Sequence, residues 1–161
     1  MAAAVVLPLG ERPRACDSKL ISATRREVLY EEITRCAVGW GIGIVSAEEI
    51  DLIGIRPATL RAMRFAVSSL GRLEHVLVDA WRIPEITTPQ TGIIHGDQSE
   101  ALIAAASILA KVTRDRLMCE AHEAFPMYNF SQHKGYGTQD HRKAILIHGP
   151  SPLHRRSFTL S

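Results

Sequence analysis

Two aspartates carry the most specific chemistry in this sequence. Asp79 closes the apolar run 75–79 (HVLVD), and Asp97 follows the run 91–95 directly across Gly96. An acid placed just after a buried strand projects from the strand end, where open α/β sheets build their sites. Two such carboxylates are hard oxygen ligands on a rigid scaffold, as a divalent metal handling phosphate oxygens requires. The same placement also suits a plain turn, because aspartate readily hydrogen-bonds its own backbone there.

Three further groups could meet a polyanion. Asp17-Ser18-Lys19 lies in a loop before a helical pattern, where hydroxyl, ammonium and backbone N–H groups can converge on a phosphate. A solvated turn is the alternative. Ser107, Lys111 and Arg114 share a helix face, and Asp115 lies four residues beyond Lys111, so helix salt bridging accounts for part of the set. In His133-Lys134-Gly135-Tyr136-Gly137, two glycines bracket a tyrosine beside two cationic groups. Such a backbone can press close to a ligand and offer it an aromatic face and a hydroxyl; it can also be a surface turn with an anchoring tyrosine. The histidines have neither HExxH nor CxxC spacing, so no zinc set is predicted.

The elements that must position these groups can be read from period and punctuation. Residues 2–7 form a short buried strand stopped by Pro8. Thr24 and Glu27 have capping-box spacing, with Ser22 as a rival cap, which predicts a helix starting nearby. Val38, Trp40, Ile42 and Ile44 alternate with Gly39, Gly41 and Gly43, marking a strand whose glycine face admits another element closely. Ser46 and Glu49 propose a second capping box. A helix follows from Pro57 to about Gly71, then strands at 75–79 and 91–95, a long helix over about 99–124, and a last one over about 139–148 stopped by Gly149-Pro150. Strands alternating with helices predict a mixed sheet with helices against it, in a single domain spanning 1–161.

The 161 residues are 46% apolar and 22% charged, which excludes a disordered chain. The longest apolar run, 101–110, falls well short of the roughly twenty residues of a membrane-spanning helix. Three cysteines without CxxC spacing, and no signal-peptide pattern, predict a cytoplasmic protein without a disulfide framework. The net charge of +2 is unevenly divided: residues 1–110 hold 11 Lys+Arg against 13 Asp+Glu, and residues 111–161 hold 8 against 4. A carboxylate-bearing body with a basic C-terminal third suits a polyanion held over a metal centre.

Taken in order, CDSKL (16–20), HVLVDAWRIP (75–84), HGDQSEALIAAASILAKVTRDRLM (95–118), QHKGYGTQDHRKAI (132–145) and HGPSPLHRRSF (148–158) resemble the ribonuclease HII family, the type 2 ribonucleases H. The resemblance implies a ribonuclease H-like α/β fold: a mixed five-stranded sheet flanked by helices, with a helical C-terminal part. It implies endonucleolytic hydrolysis of RNA in RNA–DNA hybrids and 5′ of a ribonucleotide embedded in duplex DNA, giving 5′-phosphate and 3′-hydroxyl ends. The implied cofactor is manganese or magnesium, and the implied mechanism uses two metals held by four carboxylates. Asp79 and Asp97 match the third and fourth of these. Lys19 matches a phosphate-contacting lysine, Ser107 and Lys111 match backbone contacts, and Tyr136 matches the tyrosine that stacks on the ribonucleotide and senses its 2′-hydroxyl. The partner is then a hybrid or ribonucleotide-containing duplex, bound by a monomer, with no membrane.

The chain also departs from the family pattern. Members carry a first, central strand reading roughly GVDEVGRGPLAGPV, whereas MAAAVVL matches the second strand. Met1 falls where the family has valine, so the natural protein is expected to extend upstream by about fifteen to twenty residues, one strand and its loop. Without that strand, a slot is expected between residues 2–7 and 75–79, and the polypeptide as given is expected to be weakly stable and impaired or inactive. The alternative reading is a non-catalytic nucleic-acid-binding fragment using Lys19, Lys111, Arg114 and Tyr136. Two smaller departures are Leu20, where a second lysine is usual, and Ala80-Trp81 in place of Gly-Asn.

Overall fold

Local period and capping chemistry fix most elements of the computed structural model, which describes residues 1–10 and 21–158. In chain order these are β1 (Ala2–Val6), α1 (Ala23–Cys36), β2 (Gly39–Gly43), α2 (Ala47–Ile53), α3 (Ile55–Ser68), β3 (Val76–Asp79), β4 (Gln90–Ile93), α4 (Gly96–Ser99), α5 (Ala101–Ala124), a 3-10 turn (Pro126–Tyr128), α6 (Phe130–His133) and α7 (Gln139–His148). Ser22, rather than Thr24, caps α1: its Oγ accepts the Arg25 N–H at 3.2 Å, and Thr24 sits inside the first turn. Ser46 caps α2 as its spacing predicts, accepting the Glu49 N–H at 3.1 Å. Pro57 falls in the first turn of α3 rather than at its first residue, a place where its missing N–H costs nothing.

The chain forms two compact units, residues 1–45 with 56–112 and residues 46–55 with 113 onward. In the first unit, β1 pairs antiparallel with β2, from Ala2 opposite Gly43 to Val6 opposite Gly39. β3 pairs parallel with β4, from Val76 opposite Gln90 to Asp79 opposite Ile93. The sheet is mixed, as expected, but among the described residues it consists of two separate two-stranded ladders. One face of α1 (Leu29, Ile33) packs on one face of α5 (Ala105, Ile108, Leu109, Val112), with Ala3, Val5 and Ile42 of the first ladder against them. Val67, Val76, Val78 and Ile83 form a second cluster under the other ladder. Removing each such large aliphatic side chain from water stabilises the fold by about 1.5–3 kcal/mol.

The glycine face of β2 has the role its alternation predicts. A Cβ on Gly43 would lie 1.8 Å from the carbonyl oxygen of Ala62, and one on Gly41 would lie 2.6 Å from that of Ala66. Only glycine lets α3 come this close to the strand.

In the second unit, Tyr128, Phe130 and Ile145 are the buried core, with Met118, Ala121 and Phe125 packed against it. Thr138 caps α7 by accepting the His141 N–H at 3.3 Å, and Gly149 ends the helix at φ +74°. The Tyr128 hydroxyl donates to the Gly149 carbonyl at 2.7 Å, tying the end of α7 to the 3-10 turn. Asp51 of α2 accepts from the backbone N–H groups of Arg156 (2.7 Å) and Ser157 (2.9 Å), which pins the chain after α7.

Candidate functional site

Asp79 is the last residue of β3, so the strand itself aims it. Its Oδ1 accepts the Gly96 N–H at 3.1 Å, which links the strand end to the turn bearing Asp97. Asp97 does not project directly from β4. The strand ends at Ile93, His95 takes a left-handed conformation at φ +57°, and Asp97 sits in the short helix α4 with 8% exposure. Gly96 packs closely on α5, and a Cβ there would stand 2.5 Å from the terminal methyl of Ile103, which would have to shift.

The Ala80-Trp81 departure has a visible cost and a visible accommodation. Ala80 takes φ +61°, a left-handed conformation that glycine adopts freely and alanine does not. Its N–H still reaches the Ile93 carbonyl at 2.8 Å, so the β3–β4 ladder continues past Asp79. Gly92 makes room, since a Cβ there would be 2.9 Å from the Ala80 oxygen. Trp81 turns outward, where the Arg56 guanidinium covers its ring at 4.0 Å.

Both carboxylates line a cavity of about 290 Å³ in the first unit. Its walls include every residue of 1–6 and 75–79, Met63 and Val67 of α3, and Leu102, Ile103, Ala106 and Ser107 of α5. Side chains alternate faces along a strand, so consecutive lining residues mean that the cavity runs along the strand edges of β1 and β3. It lies where the sequence predicts a slot. It is an apolar trough with two acids in its wall.

Of the other expected contacts, Ser107 lies on that wall and Lys111 one turn further along α5; both are half-buried and engaged with neighbours. Lys19, with Asp17 and Ser18, lies outside the described residues. Among the described residues no group of three or more His, Cys, Asp or Glu side chains is arranged to hold a metal. The Asp79 and Asp97 carboxylates have the right chemistry for one divalent ion whose remaining ligands come from water and phosphate. They are too few for two ions.

The second unit presents Tyr136, 55% exposed, at the centre of a small platform. Lys134 and Gly135 both take positive φ, +51° and +81°, which turns the chain sharply before the tyrosine. Arg114 of α5 lies over the ring, its guanidinium carbon 4.7 Å from the centroid, and its Nη1 donates to the Tyr136 hydroxyl at 3.0 Å. The same guanidinium donates twice to Asp115 Oδ1, from Nη2 at 2.8 Å and Nε at 3.2 Å. Burial opposes its charge, but the hydrogen bonds to Asp115 and Tyr136 more than restore it. Arg114 therefore acts on Tyr136, a role its helix position alone does not disclose.

Three histidines behind this platform were invisible to spacing. The rings of His133 and His141 stack at 4.2 Å, and His141 Nε2 meets His154 Nε2 at 2.9 Å. They pack on Phe130 and take polar partners from the surrounding backbone and Ser151.

The fold can be compared with solved structures. The ribonuclease H2 of Pyrococcus horikoshii superposes with a TM-score of 0.67 at 20% identity, covering 98% of this chain and 93% of that one. The structure of the PCNA:RNase HII complex from Archaeoglobus fulgidus gives 0.72 at 23% identity, covering 90% of this chain and 78% of that one. These define the architecture as that of the type 2 ribonucleases H. The family model "Ribonuclease HII" matches residues 13–161, and the chain belongs to the ribonuclease HII family. A ribonuclease HII of Alkaliphilus metalliredigens is 50% identical over 166 residues, covering 98% of this chain and 81% of that protein. One from Acidothermus cellulolyticus is 46% identical over 160 residues, covering 97% of this chain. The chain spans 52% of the length of that relative and 55% of a Myxococcus xanthus ribonuclease HII.

Proposed function

We propose that this chain carries part of the cleavage centre and part of the nucleic-acid contact surface of a ribonuclease HII. The reaction is endonucleolytic hydrolysis of RNA in RNA–DNA hybrids, and of duplex DNA on the 5′ side of an embedded ribonucleotide. Water adds to phosphorus and the bond to the 3′-oxygen breaks, leaving 3′-hydroxyl and 5′-phosphate ends. The observation that carries this reading is the pairing of Asp79 and Asp97: two carboxylates from separate segments, joined through the Gly96 N–H, on the wall of one cavity.

Asp79 and Asp97 are the residues that would hold manganese or magnesium. Such an ion supplies positive charge opposite the negative charge that develops on the phosphate oxygens. Lys19, Ser107 and Lys111 position the phosphodiester backbone, which fixes register without reading sequence. Tyr136 stacks on the ribonucleotide sugar and reads its 2′-hydroxyl, the group that separates RNA from DNA at one position. Two-metal catalysis needs ions about 4 Å apart, and Asp79 with Asp97 supports only half of that arrangement. On this reading the chain is impaired or inactive in cleavage, and the alternative is a non-catalytic fragment that binds nucleic acid. The basic balance of residues 111–161 supports the binding half of this reading.

The test is cleavage of a duplex containing one ribonucleotide, with manganese supplied, by this chain and by one extended with the family's DExGRG strand. Turnover restored by the extension and abolished in it by Asp97→Asn is the expected result. Equal turnover by both chains would overturn the impairment, and survival of activity in Asp97→Asn would overturn the site. Binding by the unextended chain is expected to weaken steeply with salt, as phosphate contacts release counterions.

A further inference from the structure

The partners of the three histidines fix every ring proton behind the tyrosine platform. A carbonyl can only accept and a backbone N–H can only donate, so each contact assigns a tautomer. His133 Nε2 faces the Tyr128 carbonyl at 2.6 Å and must donate, while its Nδ1 accepts the Gly135 N–H at 3.2 Å. His141 Nδ1 faces the Tyr136 carbonyl at 2.9 Å and must also donate, which leaves its Nε2 as an acceptor. His154 Nδ1 accepts the Ser151 N–H at 2.9 Å, so its proton is on Nε2, aimed at His141 Nε2 at 2.9 Å. The Ser151 hydroxyl completes the set, accepting the Leu153 N–H at 3.3 Å and donating to His154 Nδ1 at 2.7 Å.

All six ring nitrogens are thus satisfied with three neutral imidazoles, in one sense of donation. The direction runs from Ser151 through His154 and His141 to the Tyr136 carbonyl, which the Thr138 N–H also reaches at 2.8 Å. His133 meanwhile holds Gly135 at its positive φ, and Arg142 Nε donates to the Gly137 carbonyl at 3.1 Å. The loop bearing Tyr136 is held from behind at each of its three central residues.

We infer that Ser151, His154 and His141 are positioning residues for substrate recognition: their one-way hydrogen-bond relay fixes the Tyr136 carbonyl and so orients the exposed ring for a ribonucleotide sugar. This rests on the reading of Tyr136 as the residue that meets the sugar. Ser151 and His141 are buried and His154 is half-buried, so the three act through the Tyr136 backbone. A ring nitrogen used as a metal ligand would have to give up one of these bonds, so the cluster is a structural relay and no metal site.

The relay is tested on the unaltered chain by nitrogen-15 correlation spectra of the imidazoles at neutral pH. Protonated Nδ1 on His141 and protonated Nε2 on His154 are expected; the opposite tautomer at either residue overturns the relay, whatever happens to the variants. Recognition is tested by affinity in EDTA for a duplex with one ribonucleotide against its all-DNA counterpart. His141→Phe keeps a ring on His133 and Phe130 but has no donor, and is expected to lose selectivity about three- to tenfold, one ordinary hydrogen bond's worth. His141→Asn places an amide N–H near the Nδ1 position but loses the acceptor for His154, and is expected to recover only part of that selectivity. Asparagine failing as badly as phenylalanine, or phenylalanine changing nothing, overturns the positioning role. Tyr136→Ala isolates the underlying reading. Unchanged selectivity in that variant would remove the consequence for recognition even with both tautomers as stated.

Discussion

Arg114 and Tyr136 form one unit across 22 residues of sequence, the guanidinium over the ring and also bonded to its hydroxyl. The arginine is anchored in turn by Asp115, with the pair's side chains 32% and 16% exposed. One side chain thus holds both the ring and the hydroxyl of Tyr136.

Arg114→Ala should weaken binding to a ribonucleotide-containing duplex by about 1–2 kcal/mol, combining one cation–π contact with one hydrogen bond. Arg114→Lys should not rescue it, because an ammonium cannot cover the ring and bridge Tyr136 with Asp115 together. Fluorescence anisotropy on labelled duplex measures both, and full affinity in the lysine variant would contradict the planar-clamp account.

Asp79→Asn and Asp97→Asn should each reduce manganese affinity by at least about tenfold, the loss of a charged oxygen ligand. Asp79→Asn keeps a carbonyl for the Gly96 N–H, so its fold should survive; Asp97 is more buried and its variant should melt lower. Titration calorimetry with manganese, beside a melting curve, separates the two effects.

The histidine relay should make the protein less stable in mild acid. Burial pushes His141 and His154 below the ordinary histidine value of 6.5 and the proximity of another histidine adds to this, while for His141 the hydrogen bond to the Tyr136 carbonyl partly opposes it. The unfolded chain then binds protons more readily than the folded one. Stability is full above about pH 6.5 and falls as pH drops toward the folded values. Asp51, whose pKa is lowered first by the Ser157 hydroxyl, keeps its full contribution throughout this range and loses it only as pH falls below 3.8. Urea midpoints between pH 7.5 and 5 should fall in the unaltered chain and stay flatter in His154→Phe.

Gly43→Ala should destabilise the protein by about 3 kcal/mol, because its Cβ would collide with the Ala62 carbonyl and push β2 from α3. Gly71→Ala meets nothing within 4 Å but sits at φ +73°, so its cost should be only the left-handed strain, about 1 kcal/mol. Thermal melts should rank them in that order. Equal losses would mean that the β2–α3 contact is looser than described.

The elements were legible because their signals are local. Alternation over 38–44 disclosed both the strand and its glycine face, the Ser46 spacing disclosed a cap, and Gly149-Pro150 marked the end of α7. Asp79 could be placed at a strand end by the apolar run before it. Asp97 could not, because the left-handed turn at His95 leads into a short helix whose Gly96 N–H is bonded to Asp79, far away in the chain. The separation of β1–β2 from β3–β4 likewise depends on backbone groups far apart in the chain. Arg114 on Tyr136 and the relay through Ser151, His154 and His141 belong wholly to the tertiary structure. A guanidinium's partner and an imidazole's tautomer are set by whichever distant donors and acceptors folding brings within reach. No period or motif in the sequence encodes that choice.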